Sequence, residues 1–311
     1  MPWQQNSTQK LRYERMFRPG SRFYGNGRNR YSKGNRKAII QCLTYGTTYP
    51  KHKQQQMTNM RILTTIVLIL CITLSQAQAD RRPATSPTVT CDSLVLFDSA
   101  RTRLIPVAIY LPVPHKKHPQ VVILNHGYGQ NQPGSYKAYS YLAKALATKG
   151  YYVVSIQHEL PDDPPIAMTG KLRETRMPNW ERGAENIRFV LRVLPVRRPG
   201  PDYRHPVLIG HSNGGDMVML FAHQYPQVPL AVISLDNRRM PLPRLKQPRI
   251  STLRSSDQPA DSNVIPTAAE QLQYHIRVMP TSVPHNDMDD DANEQQRQEI
   301  ISDIFNLLHQ R

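Results

Sequence analysis

The chain has 311 residues, enough for one sizeable domain and an extension. Its formal charge of +17 is unevenly spread: residues 1–79 carry 13 Lys/Arg against one acidic residue, Glu14, whereas residues 80–311 carry 27 Lys/Arg and 22 Asp/Glu, a net of +5. The basicity therefore belongs to the leader and does not mark a nucleic-acid partner for the rest. Of the three cysteines only Cys91 lies beyond residue 79, which excludes an internal disulfide or a cysteine-based metal site in that part.

Residues 1–59 are polar, basic and aperiodic, and are expected to be disordered. Residues 60–79 have the three-part design of a signal peptide: Met60 and Arg61, an apolar run from Ile62 to Leu74, and Ala77-Gln78-Ala79 as a small-residue cleavage site before Asp80. The run is short for a spanning helix, which wants about 20 residues. Cys71 follows Leu70 rather than a small residue, which argues against lipidation there. A signal peptide belongs at a chain start, so translation is expected to begin at Met60 or Met57, with the upstream stretch not translated. The alternative is a basic tail before an uncleaved signal anchor. The expected domain is residues 80–311, secreted or periplasmic, without stable membrane insertion after cleavage.

From residue 93 onward strand and helix patterns alternate. Ser93–Asp98 and Val107–Leu111 read as an antiparallel pair of strands, and Val121–Leu124 as a doubly covered central strand. Residues 136–149 read as a helix stopped by Gly150, Tyr151–Ile156 as a strand, and Trp180–Leu194 as a helix stopped by Pro195. Val207–Ile209 is a short strand, residues 213–224 a helix, and Leu230–Leu235 and Ile250–Leu253 are strands. A short helix over Thr267–Tyr274, a strand over Ile276–Met279 and an amphipathic helix over Glu294–Leu308 complete the pattern. Residues 195–206 and 237–249, rich in Pro and Arg, read as loops. The alternation predicts an α/β fold: a mainly parallel central sheet covered by helices on both faces.

Gly210-His211-Ser212-Asn213-Gly214 matches G-x-S-x-G, directly after an apolar strand and before a helical pattern. That is the setting of a nucleophile elbow, in which a tight turn exposes the serine hydroxyl and flanking glycines avoid Cβ clashes. His126-Gly127-Tyr128-Gly129 follows the strand Val121–Leu124 and would lie at the same sheet edge. The backbone N–H groups of Tyr128 and Asn213 are the expected oxyanion donors. His126 is expected to order its loop rather than act as a base.

On these motifs the chain resembles the α/β-hydrolase superfamily, and more narrowly its dienelactone-hydrolase and platelet-activating-factor-acetylhydrolase-like branch, over roughly residues 93–310. The resemblance implies the chain order Ser, acid, His. It places the base at His285, in the loop after the last strand, and passes over His211, His223, His275 and His309. It places the acid after the strand that starts near Pro248. Asp257 is preferred there and Asp261, in a D-x-x-V-P-like loop, is the alternative; Asp236, ending the strand Leu230–Leu235, is a third candidate because some lipases use that strand. The implied activity is cleavage of small esters through an acyl-enzyme, without cofactor or metal. An amidase or peptidase could use the same triad. A non-catalytic member of the fold is disfavoured, since the nucleophile and base are kept. The run Asp289-Asp290-Asp291 reads as a solvated face or helix N-terminus rather than a calcium site. With only residues 237–249 after the strand where many relatives insert a cap, no cap domain is expected, and residues 158–179 are expected to shape an open site.

Overall fold

Continuous apolar runs make stable strands when helices cover both faces of their sheet, and the chain folds that way. The computed structural model describes residues 55–56, 59–69, 88–113 and 117–309. The chain divides into two compact units, Met1–Gln78 and Ala79–Arg311. In the first, residues 59–69 are helical, and the hydroxyls of Thr64 and Thr65 donate to the carbonyls of Met60 and Arg61, at 2.6 and 2.8 Å. The rest of the expected signal segment, with Cys71 and the cleavage site, lies outside the described residues, as do residues 1–54. Among the described residues no helix is long and apolar enough to cross a membrane.

The second unit holds eight strands: β1 (Thr88–Asp98), β2 (Arg103–Val113), β3 (Gln120–Asn125), β4 (Tyr152–Ile156), β5 (Asp202–His211), β6 (Ala231–Leu235), β7 (Arg249–Arg254) and β8 (Arg277–Pro280). They form one sheet in the order β1-β2-β4-β3-β5-β6-β7-β8. The β1/β2 and β2/β4 pairings are antiparallel and the others parallel. Helices α1 (Ser140–Thr148) and α5 (Glu294–His309) bring Leu142, Leu146, Ile300 and Ile304 against one face. Helices α2 (Leu172–Arg197) and α3 (Ser212–Gln224) bring Trp180, Ile187, Met217 and Phe221 against the other. Within β3, Val121 and Ile123 join the second layer and Val122 and Leu124 the first, so no position of this run is left for a polar residue. A short helix α4 (Ala268–Tyr274) precedes β8.

Four elements depart from the expected bounds. Helix α2 begins at Leu172, so the stretch 172–179, read as part of a loop, is helical; it also runs past Pro195, closed by Arg198 N–H on Leu194 O at 2.7 Å. Each internal proline removes one backbone hydrogen bond, but Trp180, Ala184, Ile187, Val190 and Leu194 are buried along the helix, and their burial outweighs that loss. β5 starts at Asp202, where a Pro/Arg-rich stretch hides a strand half outside the core. β1 and β2 are longer than their apolar patterns, because β1 is an edge strand exposed along most of its length.

Candidate active site

β3, β5, β6 and β7 lie side by side and point the same way, so their C-terminal ends gather the loops that follow them at one edge. β5 ends at His211 and α3 begins at Ser212 with no intervening residue. Ser212 has φ of 49°, in the left-handed region that costs a non-glycine residue about 1–2 kcal/mol. The glycines are needed for space: a Cβ on Gly210 would stand 2.6 Å from Gly214 C, and one on Gly214 would stand 2.7 Å from Asn125 C. Helix α3 thus packs against the ends of both β3 and β5.

Ser212 Oγ lies 3.0 Å from His285 Nε2. His285 comes from the loop after β8 and is 5% exposed. Its Nδ1 lies 2.6 Å from Oδ2 of Asp236, a carboxylate that is wholly buried. The carboxylate at the ring is therefore Asp236 and not the expected Asp257: Asp257 is exposed, and its Oδ1 accepts the backbone N–H of His285 at 2.9 Å rather than reaching the ring. Asp261, also exposed, braces its own loop through its N–H on Arg238 O and its carbonyl under Val264 N–H. The place at the end of β7 belongs to Arg254 and Ser255, and by residue 257 the chain has turned outward. Asp236 stands first after β6, with φ of 56°, so the serine and the carboxylate occupy the same station on neighbouring strands, each on strained backbone.

Burial alone would push the Asp236 carboxyl up. The hydrogen bond from His285, the Arg254 guanidinium at 2.8 Å and the Ser255 hydroxyl at 2.7 Å outweigh it and hold the group below the ordinary aspartate value. The Ser255 N–H adds a bond to Oδ1 at 3.1 Å. Arg254 also donates to Asn237 O at 2.5 Å. Arg254 stands in no motif of the sequence. The signal that favours Asp236 is its position directly after a fully buried parallel strand, the relation Ser212 has to β5.

The other expected residues fall as follows. Tyr128 lines one cleft of about 350 Å³ with Gly127, Ser212, Tyr139 and His285. The Asn213 side chain is fixed beneath it: Trp180 Nε1–H donates to its Oδ1 at 2.7 Å, and its Nδ2 donates to Glu159 Oε1 at 3.0 Å and Asn179 Oδ1 at 2.8 Å. His126 is buried; its Nε2 accepts the His158 N–H at 3.0 Å and its Nδ1 donates to Gly127 O at 2.6 Å, so it orders the loop as expected. Residues 158–179 do not line the cleft as expected, because His158 and Glu159 turn inward and are themselves buried; its wall is formed instead by residues such as Ser135, Ala138, Asn286, Asp289 and Asp291. Among the described residues no group of three or more His, Cys, Asp or Glu is gathered to hold a metal ion.

This sheet order, with a serine at the turn between a central parallel strand and its helix, defines the α/β-hydrolase fold, and the chain has it. It is similar to a dienelactone hydrolase-like promiscuous phosphotriesterase, P91, from metagenomic libraries, at 15% identity and a TM-score of 0.52, over 70% of this chain and 97% of that one. It is also similar to esterase Est22 (12% identity, TM-score 0.53, 73% of this chain and 83% of that one) and to an esterase from Rhizomucor miehei (11%, 0.54, 73% and 85%). At these identities the likeness is one of fold. No protein-family model and no curated protein matches the chain by sequence.

Proposed function

We propose that this chain is a serine hydrolase that cleaves small carboxylic esters through an acyl-enzyme on Ser212. The observation that carries the reading is the unbroken path from the Ser212 hydroxyl through both ring nitrogens of His285 to the buried Asp236 carboxylate. With Asp236 ionised, His285 keeps its proton on Nδ1 and offers the Nε2 lone pair to the serine. Ser212 Oγ attacks the acyl carbon as its proton passes to Nε2. The carboxylate stabilises the imidazolium, which then protonates the leaving alcohol. Water, deprotonated by the same nitrogen, releases the acid. The backbone N–H groups of Tyr128 and Asn213 hold the oxyanion in this scheme; the Gly127 N–H is already engaged by the Tyr139 hydroxyl at 3.1 Å. That solved proteins of like fold carry the names esterase and hydrolase supports the reaction class.

A fluorophosphonate probe should label Ser212, and Ser212→Ala should lose both labelling and ester hydrolysis. The expected fall in turnover is about 10⁶-fold, the loss seen for such a serine in subtilisin. Labelling that survives the substitution overturns the assignment.

The enzyme is secreted in this reading, on the design of residues 60–79. N-terminal sequencing of the native protein should find Asp80 first. A native protein that keeps residues 1–59 and pellets with membranes would support the signal anchor instead.

A further inference from the structure

His211 fills the variable position of G-x-S-x-G before the serine, and the scheme above gives it no task. It is buried, and its two ring nitrogens bond in opposite directions. Nε2 lies 3.0 Å from the backbone O of His285, and Nδ1 lies 2.6 Å from the Tyr139 hydroxyl. Tyr139, also buried, stands just before α1, and its oxygen accepts the Gly127 N–H.

A carbonyl oxygen only accepts, so the His211 proton sits on Nε2 and is donated to His285 O. A neutral imidazole then has a lone pair on Nδ1, which takes the Tyr139 O–H. The tyrosine oxygen keeps a lone pair for the Gly127 N–H. Each donor thus has one acceptor, and the chain closes without an unpaired group. Burial, with His285 alongside at 4.8 Å between ring centroids, pushes the His211 imidazole down to about 3, so the neutral form persists across the working range.

We infer that His211 and Tyr139 are positioning residues that tie the oxyanion loop at Gly127 to the base loop at His285, through the body of the nucleophile elbow. The inference rests on the serine-hydrolase reading, since it sets the spacing of the groups that reading uses. Three chain segments distant in sequence, residues 126–129, 211–212 and 285, are held in one frame by two side chains. The fit is tight: a Cβ on Gly127 would stand 2.9 Å from His211 Nδ1, so the loop and the ring cannot shift independently. Without the Tyr139 hydroxyl, the His211 Nδ1 lone pair and the Gly127 N–H both lose their partner, and the His285 carbonyl alone holds the proton on Nε2. In the other tautomer a lone pair would face the His285 carbonyl, and the base loop would be pushed away from Ser212.

The test compares Tyr139→Phe with the parent chain. The variant should lose at least tenfold in kcat with KM changed less than twofold, because the spacing matters when charge develops and not when the ester docks. Inhibition by an alkyl boronic acid, whose adduct on Ser212 is a tetrahedral anion, should weaken at least fivefold. Parent values for either quantity, or a KM rise that accounts for the whole loss, would overturn the inference. A second measurement needs no variant: nitrogen NMR of the imidazoles in the parent should find His211 neutral and protonated on Nε2 down to pH 5. The opposite tautomer, or a charged ring at pH 5, would also overturn it. Fluorophosphonate labelling of the parent keeps the two readings apart. Absence of labelling at Ser212 refutes the hydrolase, whereas labelling with an unaffected Tyr139→Phe refutes only the brace.

Discussion

The turns at the ends of β5 and β6 do the same mechanical job in different sequence. Each follows a buried parallel strand, and each places one residue of the proposed triad at φ near 50°, Ser212 at 49° and Asp236 at 56°. At β5 the chain enters helix α3 at once, so backbone crowds backbone and only glycine fits at 210 and 214. At β6 the chain leaves into an irregular segment, and the neighbours of Asp236 are full side chains. Leu235 packs in the core, and Asn237 donates to Met240 O at 2.7 Å and accepts the Ser234 hydroxyl at 2.7 Å. Strain at a functional turn therefore leaves a motif in the sequence where sterics dictate the flanking residues, and leaves none where they do not.

The largest effect that bears on this contrast separates Asp236 from Asp257. Asp236→Asn should lower turnover by about 10⁴, the cost of losing the carboxylate partner in a serine protease. Asp257→Asn, which weakens one bond to the His285 backbone, should cost no more than about tenfold. Ester turnover of the two purified variants decides it, and the reverse order would place the acid at the end of β7.

Next comes the steric difference between the turns. Gly214→Ala should lower the unfolding free energy by about 3 kcal/mol, at the upper end for overpacking, because the added methyl meets the backbone of β3. Denaturant unfolding reads this directly, and a cost within about 0.5 kcal/mol, typical of an uncrowded surface site, would remove the steric account of the motif.

The acid limit of stability is a smaller effect. The folded-state pKa of Asp236 lies below the ordinary value of 3.8, so its contribution is complete above pH 3.8 and is lost as pH falls through the lower, folded value. Parent and Asp236→Asn unfolding curves should converge as pH falls below that range and separate above it. A gap independent of pH would show that the carboxylate's ionisation does not stabilise the fold.

Smallest is the strain itself. Ser212→Gly should be more stable than Ser212→Ala, by about 1 kcal/mol, because glycine adopts a left-handed turn without a Cβ penalty. Equal melting temperatures for the two inactive variants would mean that the turn stores no strain.

The sequence made legible whatever rested on apolar continuity or on forced residue types. The buried strands β3, β4 and β6, the helices α3 and α5, the elbow and the late histidine stood where their patterns put them. Less legible were elements whose stability comes from elsewhere in the fold. The first turns of α2 follow a proline-rich stretch and hold because Arg176 and Trp180 are buried, with Arg176 Nε donating to Ala167 O at 2.7 Å. The carboxylate beside His285 was obscured by chain order. β6 and β7 are parallel neighbours, so a carboxylate at the end of either could approach the same imidazole; Arg254 and Ser255 stand at the end of β7 and bond Asp236, whose carboxylate is the one at the ring.

The serine and the carboxylate ride on adjacent rungs of a hydrogen-bonded ladder, whose spacing of about 4.8 Å does not depend on any loop. The histidine has no such footing. It hangs from an arm beyond β8, a four-residue strand at the edge of the sheet, moored by the Thr281 and Ser282 hydroxyls on Glu299, by Asp257 on its own amide and by His211 on its carbonyl. Two members are thus set by backbone pairing, and the third by side-chain hydrogen bonds. On warming, those bonds should loosen while the paired strands still stand, so the ester hydrolysis proposed for this site should fade at temperatures where the helices and the sheet remain intact.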